Sequence, residues 1–179
     1  MRLSVLLVFA FLASGCGYAL AGRGSFLPDY IRVVGIPTFE NRSSFSQVEQ
    51  VLTDKVRTEF IGRGNYKITP EATGADAMLV GAVMSVIIVP TNFSAEQQAS
   101  RYTISVTANI ELRDVEKDTV LWSNPSVTVR EEYDATSALT NDPTGFVDPS
   151  AFFTQETNAI ERIGNEFART VVSAILEAF

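Results

Sequence analysis

Residues 102–112 alternate strictly: Tyr102, Ile104, Val106, Ala108, Ile110 and Leu112 are separated by Thr103, Ser105, Thr107, Asn109 and Glu111. A period of two sends one set of side chains toward a core and the other away from it, which predicts a half-buried strand. Residues 77–89 are apolar almost throughout, the pattern of a central strand. Shorter runs at 30–39 and 66–69 predict two more strands. Pro37 suits an edge or a strand end, because proline cannot donate to a ladder. After a hairpin turn at 114–118 the chain returns as a strand over 119–133, interrupted at Asn124-Pro125.

Two segments change to the helical period. Ser46-Gln47-Val48-Glu49 has the form of a capping box, and Val48, Val51, Leu52, Val56 and Phe60 follow at the spacing of one helical face. This predicts a helix over 46–62, stopped by Gly62 or Gly64 in a left-handed cap. After a loop at 134–147, Asp148 and Pro149 read as N-cap and first helical residue. Ile160, Ile163, Phe167, Val171, Ala174, Ile175 and Ala178 then line one face of a second helix. The order strand, helix, strands, helix predicts an α+β fold. It is a two-layer α/β sandwich, with a mainly antiparallel or mixed four- to five-stranded sheet and two helices packed on one face. Residues 30–179 form a single domain in this reading.

The N-terminus carries a different signal. Arg2 precedes a short apolar run over 3–13, then come Ser14, Gly15 and Cys16, the only cysteine. A positive start, a short apolar stretch and small residues before a cut describe a secretory signal peptide, here 1–15. The run is shorter than the roughly 20 residues that cross a bilayer. An unpaired thiol in an oxidising compartment is a liability that lipidation of Cys16 removes. The alternative is a plain secretory signal with a chance cysteine at its end. Residues 16–29 then read as lipidated N-terminus and linker.

Composition narrows the chemistry. The net charge is −7, and the leader would remove Arg2 and no acid, so nucleic acid is a poor partner. An acidic body leaves membrane attachment to the lipid anchor. Histidine is absent, which removes the usual general base near neutral pH and the commonest zinc ligand. Asp114, Glu116 and Asp118 imitate the start of a calcium loop, but Thr119 and Pro125 stand where its glycine and bidentate acid belong. Glu131 and Glu132 are adjacent on a strand and point to opposite faces, so they cannot flank one bond. The expectation is a protein that is not an enzyme and that needs no cofactor or metal. The polar side of 102–112 presents small uncharged groups at Thr103, Ser105, Thr107 and Asn109. Such a face suits either docking against another protein, where charge is depleted, or an ordinary threonine-rich strand in water.

Cys16-Gly17-Tyr18-Ala19-Leu20-Ala21-Gly22, then Leu27-Pro28, then Ile36-Pro37-Thr38-Phe39-Glu40-Asn41 resemble the opening of the LptE family of lipopolysaccharide-assembly lipoproteins. Ala75-Asp76-Ala77-Met78-Leu79-Val80-Gly81 resembles that family's middle, and the likeness spans nearly the whole chain after the leader. The resemblance implies a small sandwich lipid-anchored on the periplasmic side of the outer membrane, which Gly17 after the cysteine fits. It implies that the protein plugs and helps assemble an LptD-like β-barrel that delivers lipopolysaccharide to the surface, and that lipopolysaccharide itself is a partner. The surfaces implied to face the barrel are Thr91, Asn92 and Phe93 in a loop over 91–100, Arg101 just after it, and Thr103, Ser105, Thr107 and Asn109. The chain departs from the family in its charges. Residues 91–100 hold Glu96 and no cation, and 134–147 hold no Lys or Arg. The plug role needs no basic patch. The other reading is a pilot or chaperone lipoprotein for a different envelope complex, such as a secretin.

Overall fold

In the computed structural model, the described residues are 27–63, 66–93, 99–134 and 149–179. Their elements in chain order are β1 (Val33–Gly35), β2 (Glu40–Asn41), α1 (Val48–Arg63), β3 (Lys67–Thr69), β4 (Ala77–Phe93), β5 (Ala99–Asp114), β6 (Thr119–Asp134) and α2 (Pro149–Leu176). The strands form one mixed sheet in the order β3-β1-β4-β5-β6, with β2 also paired to β4. β1 runs parallel to β3 and β4, whereas β4, β5 and β6 form an antiparallel meander. The α+β sandwich read from the sequence is the observed fold.

The sheet has six strands because the first expected strand, 30–39, shortens to β1 and a further short strand, β2, follows it. β1 stops at Gly35, two residues before Pro37, and the chain re-enters as β2 beside Ala82 and Val83. Gly35 has no room for a side chain. A Cβ there would lie 2.4 Å from Met78 Sδ and 2.8 Å from the Glu71 carbonyl oxygen.

α1 starts differently from its sequence signature. Gln47 takes a left-handed φ of 67°, and its carbonyl accepts from the Gln50 and Val51 N–H groups. Glu49 does not return to Ser46; its Oε2 accepts from Asn41 Nδ2 at 2.7 Å. The capping box therefore gives way to a side-chain bond with β2. Gly62 lies inside the helix, and Gly64 is outside the described residues.

Val48, Leu52, Val56 and Phe60 are buried as their spacing requires, and Val51 is half-buried. Thr53 joins them because its hydroxyl donates to the Glu49 carbonyl and accepts from Phe39 N–H at 3.0 Å. On α2, Ile160, Ile163, Phe167, Val171 and Ile175 are buried, with Ala159, Ala168, Val172 and Leu176 widening the face. Ala178 falls beyond the helix end and is exposed. The helices meet closely at Gly164, where a Cβ would come within 3.0 Å of Lys55 Cγ and 3.1 Å of Val51 Cγ1. Phe39 and Phe167 pack edge to face at 6.5 Å between the helices and the sheet.

β4 changes parity partway along. Leu79, Gly81 and Val83 oppose Leu112, Ile110 and Ala108 on the core face. A register shift between Val83 and Ser85 inserts Met84, after which Val86 and Ile88 oppose Val106 and Ile104. One extra residue exchanges the faces of a strand, so the bulge keeps β4 apolar toward the helices along its length.

Candidate docking face

The side of the sheet away from the helices is uncovered among the described residues. Its middle row is Thr103, Ser105, Thr107 and Asn109 on β5, as the alternation requires; the first three are half-buried and Asn109 is exposed. On the β6 side they stand opposite Glu132, Arg130 and Thr128 for the first three, and the Thr107 and Thr128 hydroxyls are 3.0 Å apart. On the β4 side they stand opposite Val89, Ile87, Ser85 and Ala82. The face therefore runs from apolar through small polar to charged.

The apolar row is the part the sequence reading missed. Val80, Met84, Ile87 and Val89 are 40%, 43%, 55% and 44% exposed. The continuous apolar run of β4 suggested a central position, and β4 is central in strand order, yet no described residue covers its face away from the helices. The signal was present in its neighbour. Because β5 has one polar face, the sheet has one open face, and apolar residues of β4 on that side must be open too. Beside this row is a groove of about 240 Å³, lined by Glu40, Arg42, Val80, Ala82, Asn109 and Glu111 among others. Its charges are neutralised in place, Arg42 by Glu40 at 2.7 Å and Glu111 by Arg113 at 2.9 Å.

Of the expected loop over 91–100, the described residues 91–93 and 99–100 are strand. β4 continues to Phe93 and β5 begins at Ala99; residues 94–98, with Glu96, lie outside the described set. Strand pairing wins here because Asn92 pairs with Arg101 and Phe93 with Ala99 across two register shifts. Thr91, Asn92 and Phe93 are exposed at this end of the sheet, Phe93 by 58%. Arg101 is held by Asp134 at 2.8 Å and Glu132 at 3.8 Å. Those bonds raise its pKa, the Asp134 hydrogen bond most, so it stays a cation already neutralised by its neighbours. Cys16 lies outside the described residues, as do Asp148 and 135–147.

Among the described residues the acids discussed above do not converge on one centre. Asp114 turns inward to Tyr30 and Lys117, while Asp118 pairs with Arg113 at 2.8 Å. Glu131 meets Arg162 on α2, and Glu132 meets Arg101, on opposite faces as expected of adjacent strand residues. Among the described residues no group of three or more His, Cys, Asp or Glu is placed to hold a metal ion. Nor is any helix among them long and apolar enough to cross a membrane.

Comparison with known proteins adds family and fold. The model of the family described as "LptE: Lipopolysaccharide-assembly" matches residues 31–175. No curated protein matches the chain by sequence. Among solved structures, protein XCC0632 from Xanthomonas campestris is similar at 14% identity and a TM-score of 0.51, over 83% of this chain and 85% of that one. Rare lipoprotein B from Shewanella oneidensis is similar at 11% identity and a TM-score of 0.50, over 82% of this chain and 95% of that one. At such identities the likeness is one of fold.

Proposed function

The chain belongs to the LptE family of lipopolysaccharide-assembly proteins, and we propose that it acts, without catalysis, as a lipid-anchored plug and assembly partner of an LptD-like outer-membrane β-barrel. Cys16 carries the lipid in this reading and holds the body on the periplasmic side. The observation that carries the reading is the family match across 145 residues, 31 to 175. The open sheet face supports it. Val80, Ile87 and Val89 beside Thr103, Ser105, Thr107 and Asn109 make a wall of low charge, and the cores of protein interfaces are depleted in charge.

A plug makes no demand on free cations, and the chain offers few on this side. Arg101 is engaged by Asp134 and Glu132, and Arg113 by Glu111 and Asp118. Thr91, Asn92 and Phe93 extend the same surface at the end of the sheet, toward the lumen. Depletion of the protein tests the role. Loss of lipopolysaccharide from the cell surface, with misassembled barrel, is the expected result; normal surface lipopolysaccharide with a secretion defect would overturn it.

A further inference from the structure

We propose that residues 27–33 form a strap, fastened by a side-chain clasp of Tyr30, Asp114 and Lys117, that fixes where the N-terminal segment leaves the body. Three attachments hold it. The Leu27 N–H donates to the Tyr66 hydroxyl at 3.1 Å, beside β3. The Arg32 and Val33 N–H groups both donate to Asp76 Oδ2 at 2.8 Å, just before β4. Between them the Tyr30 hydroxyl donates to Asp114 Oδ2 at 2.6 Å, at the end of β5.

The third attachment is built more strongly than a surface contact needs. The Asp114 side chain is fully buried, a position that an ionised carboxylate occupies only when its oxygens are satisfied. Oδ1 accepts the Lys117 N–H at 2.9 Å, and Oδ2 has the Lys117 ammonium at 3.5 Å besides the tyrosine hydroxyl. The same ammonium sits 3.9 Å above the centre of the Tyr30 ring. Lys117 thus covers the ring while Asp114 grips its hydroxyl. Tyr30 itself is 44% exposed, so burial of its ring does not hold it there.

The position has a mechanical consequence. Whatever precedes Leu27 joins the body at the end of the sheet where β4 begins and β5 ends. β4 runs 17 residues from that end, roughly 55 Å at strand rise, before it reaches Phe93. A pull on the N-terminal segment is thereby delivered first to Leu27 beside β3 and then, through Tyr30, to the β5–β6 turn, at the far end from Phe93. The competing account is that burial of Leu27 and Ile31 alone holds the segment, with the clasp incidental.

Hydrogen exchange of the full chain in detergent, compared for wild type, Tyr30→Phe and Lys117→Met, separates these accounts. Both variants keep the bulk of the side chain and leave the core untouched. The expected result is faster exchange at the Leu27 and Ile31 amides by about tenfold, the scale of one lost charge-assisted bond. Amides of β4, β5 and α2 should keep their wild-type rates, because local opening is independent of global unfolding. Unchanged exchange at Leu27 and Ile31 in both variants would overturn the clasp, and so would an equal rise throughout the chain.

Discussion

Ile87 offers the sharpest test of the open sheet face. It lies opposite Ser105 on the side away from the helices and is 55% exposed. Fully burying such a side chain contributes about 1.5–3 kcal/mol, so covering the remaining half is worth roughly 1–1.5 kcal/mol on docking. Ile87→Thr keeps a β-branched strand residue and removes most of that gain, for an expected loss of about tenfold in affinity for the barrel. Ile87→Asp adds a carboxylate that must be desolvated without a partner, at a further cost of about 2 kcal/mol or more. The combined loss is at least about a hundredfold. Folding should be nearly spared, because no described residue outside the sheet packs on this face; a change within about 1 kcal/mol covers the lower strand propensity of aspartate. Purified variants titrated against detergent-solubilised barrel, with denaturant unfolding in parallel, give both numbers. Wild-type affinity in Ile87→Asp would refute the docking face, and a collapse of stability in Ile87→Thr would refute the claim that the side chain is free of the core.

Phe167→Ala should lower unfolding free energy by about 3–5 kcal/mol in denaturant melts, since the ring is fully buried against Phe39. Asp114 is held below the usual carboxylate range, first by the Tyr30 hydroxyl and then by the Lys117 N–H. Its contribution is present above its unfolded pKa near 3.9 and is lost as pH falls through the lower folded value, so Asp114→Asn should flatten the acid limb of stability below about pH 4. Tyr133 is pushed up to about 12 by burial, then by Glu156 and Tyr102. Stability should therefore fall as pH rises from about 10 toward 12, and Tyr133→Phe should remove that slope in alkaline unfolding curves.

The fold was legible where one residue face is decided by burial. The alternation from Tyr102 to Leu112 and the apolar stripes of α1 and α2 each survive in the structure because the same side chains meet in one core. Contacts across long sequence separations were not legible. Glu49 satisfies the Ser46 signature on paper, but Asn41 of β2 claims its carboxylate. Strand order was hidden too, since β1 pairs in parallel with both β3 and β4, and periodicity says nothing about neighbours. The candidate face was half visible. Thr103, Ser105, Thr107 and Asn109 follow from the alternation, whereas Val80, Ile87 and Val89 lie in a run that reads as a central strand and carries no alternation to assign them a face. An apolar side chain reads the same whether a helix or a partner protein covers it. The parity change at Met84 was also unreadable, because Ser85 is the only polar side chain in the run from Ala77 to Val89.

Extraction of the tagged chain from membranes in mild detergent tests the central claim most directly. The account requires that it come out in a stable complex with an LptD-like barrel, close to one to one. Recovery of the chain at full abundance with no barrel attached would contradict it.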